Sequence, residues 1–109
     1  MDGPEVIQLG NLTVDRTCYE VRVAGRRARL TRLGFDLLFF LASRAEQVVP
    51  VGTLLEQVWG EAAGGAKTKV RVQMCKLRDE LEESDPWQVV TLAKRGYMLT
   101  AKSERRKAS

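Results

Sequence analysis

The 109-residue chain contains no histidine. It therefore lacks the side chain most used as a general base near neutral pH, which is also the commonest metal ligand. Cys18 and Cys75 are the only cysteines, too few for a disulfide framework and too few for a tetrahedral zinc site on their own. Neither clustered carboxylates nor a glycine-rich phosphate loop stands in for them, so no catalytic residue, metal or cofactor is expected. No apolar run approaches the ~20 residues of a membrane span. The start, "MDGPEVIQLG", has neither the basic nor the apolar region of a secretory signal. The expectation is a cytoplasmic protein without catalysis and without a membrane partner.

What is present suits one small domain. Apolar residues make up 44% and charged residues 29% of the chain, the balance of an ordinary globular fold with a modest core. The net charge is +4, and "KSERRK" (102–107) carries +3 of it. Residues 1–101 are read as the domain and 102–109 as a basic, disordered tail. That tail is either a solvated end or an arm that meets phosphate. Any basic surface on the domain itself has to come from patterning.

The first thirty residues alternate in the manner of strands. "VIQL", "LTVD", "CYEVRV" and "RRARL" are separated by turn residues. In "CYEVRVAG", Tyr19, Val21 and Val23 share one face and Glu20 and Arg22 the other, which predicts an antiparallel sheet with one wet face. The period then changes. Residues 32 to about 45 read as a helix capped by Thr31 and apolar around most of its circumference, hence central. "VGTLLEQVWG" reads as a shorter helix ending at Gly60, with Leu54, Leu55, Val58 and Trp59 on one stripe. After the connection "GEAAGG", residues 67–83 read as a third helix. Val89 to Leu92 and Tyr97 to Thr100 read as a hairpin with Ala93 to Gly96 at its tip. A sheet followed by helices and a hairpin is an α+β arrangement.

The third helix poses a question. In "KTKVRVQMCKLRDELEE" the bases come first and the acids last, against the preference of the helix dipole, at roughly 0.3–1 kcal/mol per exposed charge. A wheel at ~100° per residue places Val70, Met74, Leu77 and Leu81 on one buried stripe. Thr68, Lys69, Val72, Cys75, Lys76 and Asp79 point away from it, with Arg71, Gln73 and Arg78 on the flanks. A basic, partly apolar front suits a DNA major groove. Lysine meets guanine or phosphate, glutamine bridges adenine, and a small apolar side chain meets a thymine methyl. The acidic half would then project out of the groove. The bland alternative is a solvated face with Lys76–Glu80 and Arg78–Glu82 pairs, although base-before-acid is the weaker order. Lys94 and Arg95 at the hairpin tip would suit a narrow minor groove.

This order of elements, carried by "LTRLGFDLLFFLASRAEQVV", "LLEQVWG", "KVRVQMCKLRDELE" and "VVTLAKRGYML", resembles the winged-helix effector domain of the OmpR/PhoB family of response regulators. The family pattern runs Leu-Thr, Glu-Phe-x-Leu-Leu, Leu-Leu-x-x-Val-Trp-Gly, a helix ending Leu-Arg-x-x-Leu-Glu, and Gly-Tyr in the wing. The resemblance covers residues 7–100. It implies a winged helix-turn-helix with an N-terminal antiparallel sheet of four strands, three helices and a C-terminal β-hairpin wing. The third helix would enter the major groove and the wing the adjacent minor groove.

Carried over position by position, Val72, Lys76 and Arg78 match base- or phosphate-reading residues. Thr68, Lys69 and Gln73 stand where side chains approach backbone or bases, and Thr91 matches a phosphate-contacting threonine. With Lys94 and Arg95 these are the expected DNA-binding residues. Trp59 is assigned to packing. Three departures stand out. Gly34 replaces the glutamate that would complete a capping box with Thr31. The wing, usually Arg-Gly-x-Gly-Tyr, reads "AKRGY", and Asp79 replaces a base.

The implied partners are double-stranded DNA, RNA polymerase through the loop after the second helix, and a second copy of the domain on DNA. That loop, "GEAAGGA", carries only Glu61 as a charge. The expected function is sequence-specific DNA binding for transcription regulation, as the output domain of a two-component response regulator or a stand-alone relative. The alternative is a winged-helix interaction module docking on RNA polymerase or a partner domain. The two differ in whether Lys69, Lys76, Lys94 and Arg95 lie on one surface.

Overall fold

The computed structural model describes residues 5–60, 67–81 and 87–101. Residues 1–4, the connection 61–66, residues 82–86 and the basic tail lie outside them. Four short strands open the fold: β1 (Val6–Leu9), β2 (Leu12–Asp15), β3 (Glu20–Val23) and β4 (Arg26–Arg27). They pair antiparallel in chain order. Leu12 faces Val23 and Val14 faces Val21, and all four are almost fully buried while Arg22 between them is exposed. The expected alternation thus puts one face on the core and leaves the other wet.

Tyr19 departs from it. Strand β3 begins only at Glu20. Tyr19 sits in the preceding turn at φ 51°, so it leaves the inner face and is 49% exposed. Its ring meets the edge of Phe35 at 5.0 Å and lies under the Arg32 guanidinium at 4.2 Å.

Helix α1 (Arg32–Ser43) starts as expected, with the Gly34 N–H donating to Thr31 Oγ1 at 3.1 Å. Phe35, Leu37, Leu38 and Leu41 enter the core. The half-buried Phe39 and Phe40 are roofed by Arg16 and Arg44, whose guanidinium groups lie 4.9 and 3.9 Å from the ring centres. An almost wholly apolar helix is therefore accommodated by core on one side and arginine stems on the other.

Helix α2 (Val51–Leu54) continues into a wider π-helical turn (Leu55–Trp59) that ends at Gly60, φ 72°. The adjacent Leu54 and Leu55 both reach 0% exposure, and Val58 and Trp59 are half-buried against the core margin. The stripe expected for this segment thus faces the core.

Helix α3 (Lys67–Glu80) buries Val70, Met74 and Leu77 fully, and Leu81 follows at 4%. The chain closes with β5 (Trp87–Leu92) and β6 (Gly96–Ala101), paired antiparallel from Trp87↔Ala101 to Leu92↔Gly96. The hairpin is docked on the body. Val49 and Tyr97 exchange backbone hydrogen bonds of 2.8 and 3.0 Å, and the Glu46 N–H reaches the Leu99 carbonyl at 2.8 Å. The architecture is the α+β winged helix-turn-helix that the resemblance implies.

Candidate nucleic-acid interface

The buried stripe of α3 fixes what the helix shows outside. Thr68, Val72, Cys75, Lys76 and Asp79 are exposed, while Lys69 is half-buried. Val72, at 45%, is one of the few large apolar side chains so exposed. One flank of the helix is identified by contact. Arg78, half-buried, donates from Nε to the Val89 carbonyl at 3.2 Å and from Nη2 to the Thr91 hydroxyl. That flank therefore faces the first strand of the wing. Both expected DNA-binding residues of this pair are thus already engaged with each other, and the guanidinium is a strut between helix and wing.

Lys67, Arg71 and Arg78 lie within about 40° of one another on a helical wheel. Lys67 and Arg71 should accordingly share the wing-facing flank, and they do. Together with Thr91, Lys94 and Arg95 they line one open cleft of about 400 Å³ between α3 and the wing. Sequence reasoning left Lys67 and Arg71 out of the expected site. Both stand at helical spacing from Arg78, and only its contacts with the wing reveal that they share the wing-facing flank.

The other flank differs. Gln73 and Lys76 line a second cleft with Arg29, Thr31, Gly34, Asp79 and Glu80. Lys76 consequently lies across the helix from Lys94 and Arg95, with the exposed front of Thr68 and Val72 between them. Among the described residues Lys76 makes no ion pair. Glu80 Oε1 instead accepts the Arg29 backbone N–H at 2.9 Å. The inverted charge order of the helix thus has a structural component. Its terminal acid ties α3 to the segment between β4 and α1, and that bond offsets an unfavourable place in the helix dipole.

The wing tip is a tight turn closed by the Arg95 N–H on the Leu92 carbonyl at 2.8 Å. Lys94 occupies it at φ 62°, the position where the family pattern has glycine. Lys94 and Arg95 are both exposed. Gly96, also at positive φ, is needed for close approach, because a Cβ there would stand 2.1 Å from the Val49 carbonyl oxygen.

Among the described residues no group of histidine, cysteine or acidic side chains is placed to hold a metal ion, and no helix is long and apolar enough to cross a membrane. The surface offers cations, amides, a hydroxyl and one exposed valine, which is the chemistry of recognising a polyanion with readable edges.

Known proteins share this arrangement. The chain is 35% identical over 95 residues to the DNA-binding response regulator MtrA of Mycolicibacterium smegmatis, covering 85% of this chain and 42% of that protein. It is 34% identical over 79 residues to the heme response regulator HssR of Staphylococcus saprophyticus, covering 72% and 35%. It thus spans about two-fifths or less of the length of these curated relatives. The RstA DNA-binding domain of Klebsiella pneumoniae, solved in complex with the RstA box, superposes with a TM-score of 0.80. Its identity is 28%, and the match covers 89% of this chain and 98% of that one. The DNA-binding domain of CpxR from E. coli gives a TM-score of 0.79 at 26% identity, covering 93% and 100%. Residues 25–99 match the family model described as "Transcriptional regulatory protein, C terminal", and with the fold above this shows that the chain belongs to the OmpR/PhoB-type DNA-binding domain family.

Proposed function

We propose that this domain binds double-stranded DNA in a sequence-dependent way and thereby regulates transcription, without catalysis, as the output part of a response regulator or of a stand-alone relative. The observation that carries the reading is the placement of cations. An exposed helix face bearing Val72 is bordered on one side by Lys67, Arg71, Lys94 and Arg95 and on the other by Gln73 and Lys76. Helix α3 lies in the major groove, where Val72, Gln73 and Lys76 read base edges and Thr68 and Lys69 approach bases or backbone. Thr91 and its partner Arg78 meet phosphate, and Lys94 and Arg95 follow the neighbouring minor groove. RNA polymerase and a second copy of the domain on adjacent DNA complete the partner set.

Selection of bound sites from random duplexes, repeated at two salt concentrations, tests this reading. Enrichment of a defined motif is expected, with affinity falling by roughly 0.9 log units per log unit of salt for each phosphate neutralised. A flat salt response with no enriched motif would sink it in favour of an interaction module that docks on protein.

A further inference from the structure

We propose that Arg71, assisted by Lys67, anchors a backbone phosphate of DNA in the cleft between α3 and the wing. The inference rests on the DNA-binding reading above and assigns a role to two residues outside the expected site.

Four cations converge on this cleft, Lys67 and Arg71 from the helix and Lys94 and Arg95 from the wing tip, and among the described residues no acidic side chain lines it. Among the described residues none of the four is ion-paired. The opposite flank of α3 contrasts with this, since there Lys76 and Arg29 share a cleft with Asp79 and Glu80. A cleft of one sign with low-dielectric walls concentrates anions. Its shape also points to phosphate. Arg71 stands on the wing-facing flank, off the front that carries Thr68 and Val72, so it meets the backbone beside the groove and not the base edges within it. Its planar fork suits two phosphate oxygens at once.

The wing makes this anchor necessary. Where the family pattern places an arginine, this chain has Ala93, so the first strand of the hairpin brings no cation of its own to the cleft. Arg71 supplies one from the facing wall. The Thr91 wall, held by the Arg78 guanidinium, keeps the cleft's two sides in register.

Arg71→Ala and Arg71→Lys test the assignment in the full chain, on the selected duplex and on an unrelated duplex, across a salt series. The alanine variant is expected to bind both duplexes severalfold more weakly and to show a salt slope smaller by about 0.9. The lysine variant keeps the slope. Arg71 is exposed, so both variants should melt like the parent chain. An unchanged slope in the alanine variant overturns the phosphate anchor, and so does a loss confined to the selected duplex. A parent chain that shows no salt-dependent duplex binding overturns the DNA reading itself, and the anchor with it.

Discussion

Arg78 on the recognition helix and Thr91 on the wing are joined directly, guanidinium to hydroxyl, while the same side chain holds the Val89 carbonyl at 3.2 Å. One residue therefore ties α3 to the wing, the two elements proposed to meet DNA. Arg78→Ala should lower the free energy of unfolding by about 1–3 kcal/mol, the range for hydrogen bonds to a charged group. Thr91→Val should cost less, because the bond to Val89 survives. Denaturant melts of both variants check the order. Equal stability of Arg78→Ala and the parent would show that the strut holds nothing.

Lys94 couples stability and affinity with opposite signs. Its backbone is held at φ 62°, which disfavours a residue with a Cβ by about 1 kcal/mol. Lys94→Gly should stabilise the fold by up to that amount while weakening duplex binding and reducing its salt slope. Melting and a salt titration on the same sample read both signs, and a loss of stability would show that the lysine contributes more to the turn than its strain removes.

Two glycines should respond in opposite directions to alanine. At Gly34 an added Cβ would meet Thr31 Oγ1 at 3.4 Å and Leu30 at 3.6 Å, ordinary contacts, so Gly34→Ala should gain about 0.5–1 kcal/mol from helix propensity. At Gly96 the Cβ would stand 2.1 Å from the Val49 carbonyl oxygen. Gly96→Ala should cost more than about 2 kcal/mol and displace the wing. Thermal melts of the pair give the comparison.

Lys76 is exposed and without an ion pair among the described residues. Lys76→Ala should therefore leave stability within about 0.5 kcal/mol but cost on the order of 1–3 kcal/mol on the preferred site and blur one base position. Repeating the site selection with the variant shows which position. An identical motif and affinity would remove Lys76 from the reading group.

Arg95→Ala should weaken binding mainly where the flanks are rich in A·T, because a narrow minor groove attracts arginine most strongly. Equal losses on A·T-rich and G·C-rich flanks would contradict a minor-groove role.

Much of this was legible in the sequence, for reasons tied to particular residues. Val70, Met74, Leu77 and Leu81 repeat at helical spacing, and all four are buried. Thr31 caps the first helix as its residue type and place suggest. Periodicity fails where a turn intervenes. Tyr19 falls in phase with Val21, yet a left-handed turn residue resets the phase before β3. The bland alternative paired Glu80 with Lys76, but the partner of Glu80 is the backbone of Arg29, distant in sequence and invisible to helical spacing. The cleft of Lys67 and Arg71 could be found only by knowing which flank faces the hairpin, and that follows from Arg78.

The rung between Val49 and Tyr97, two backbone hydrogen bonds across the gap that Gly96 leaves clear, ties the base of the ribbon to the body. On the proposed reading, helix and ribbon present themselves to a duplex as a gauge of set width. Adaptation then falls on the nucleic acid, whose steps differ in stiffness. A preference for pliant steps between the two contact zones follows, at base pairs that no side chain touches.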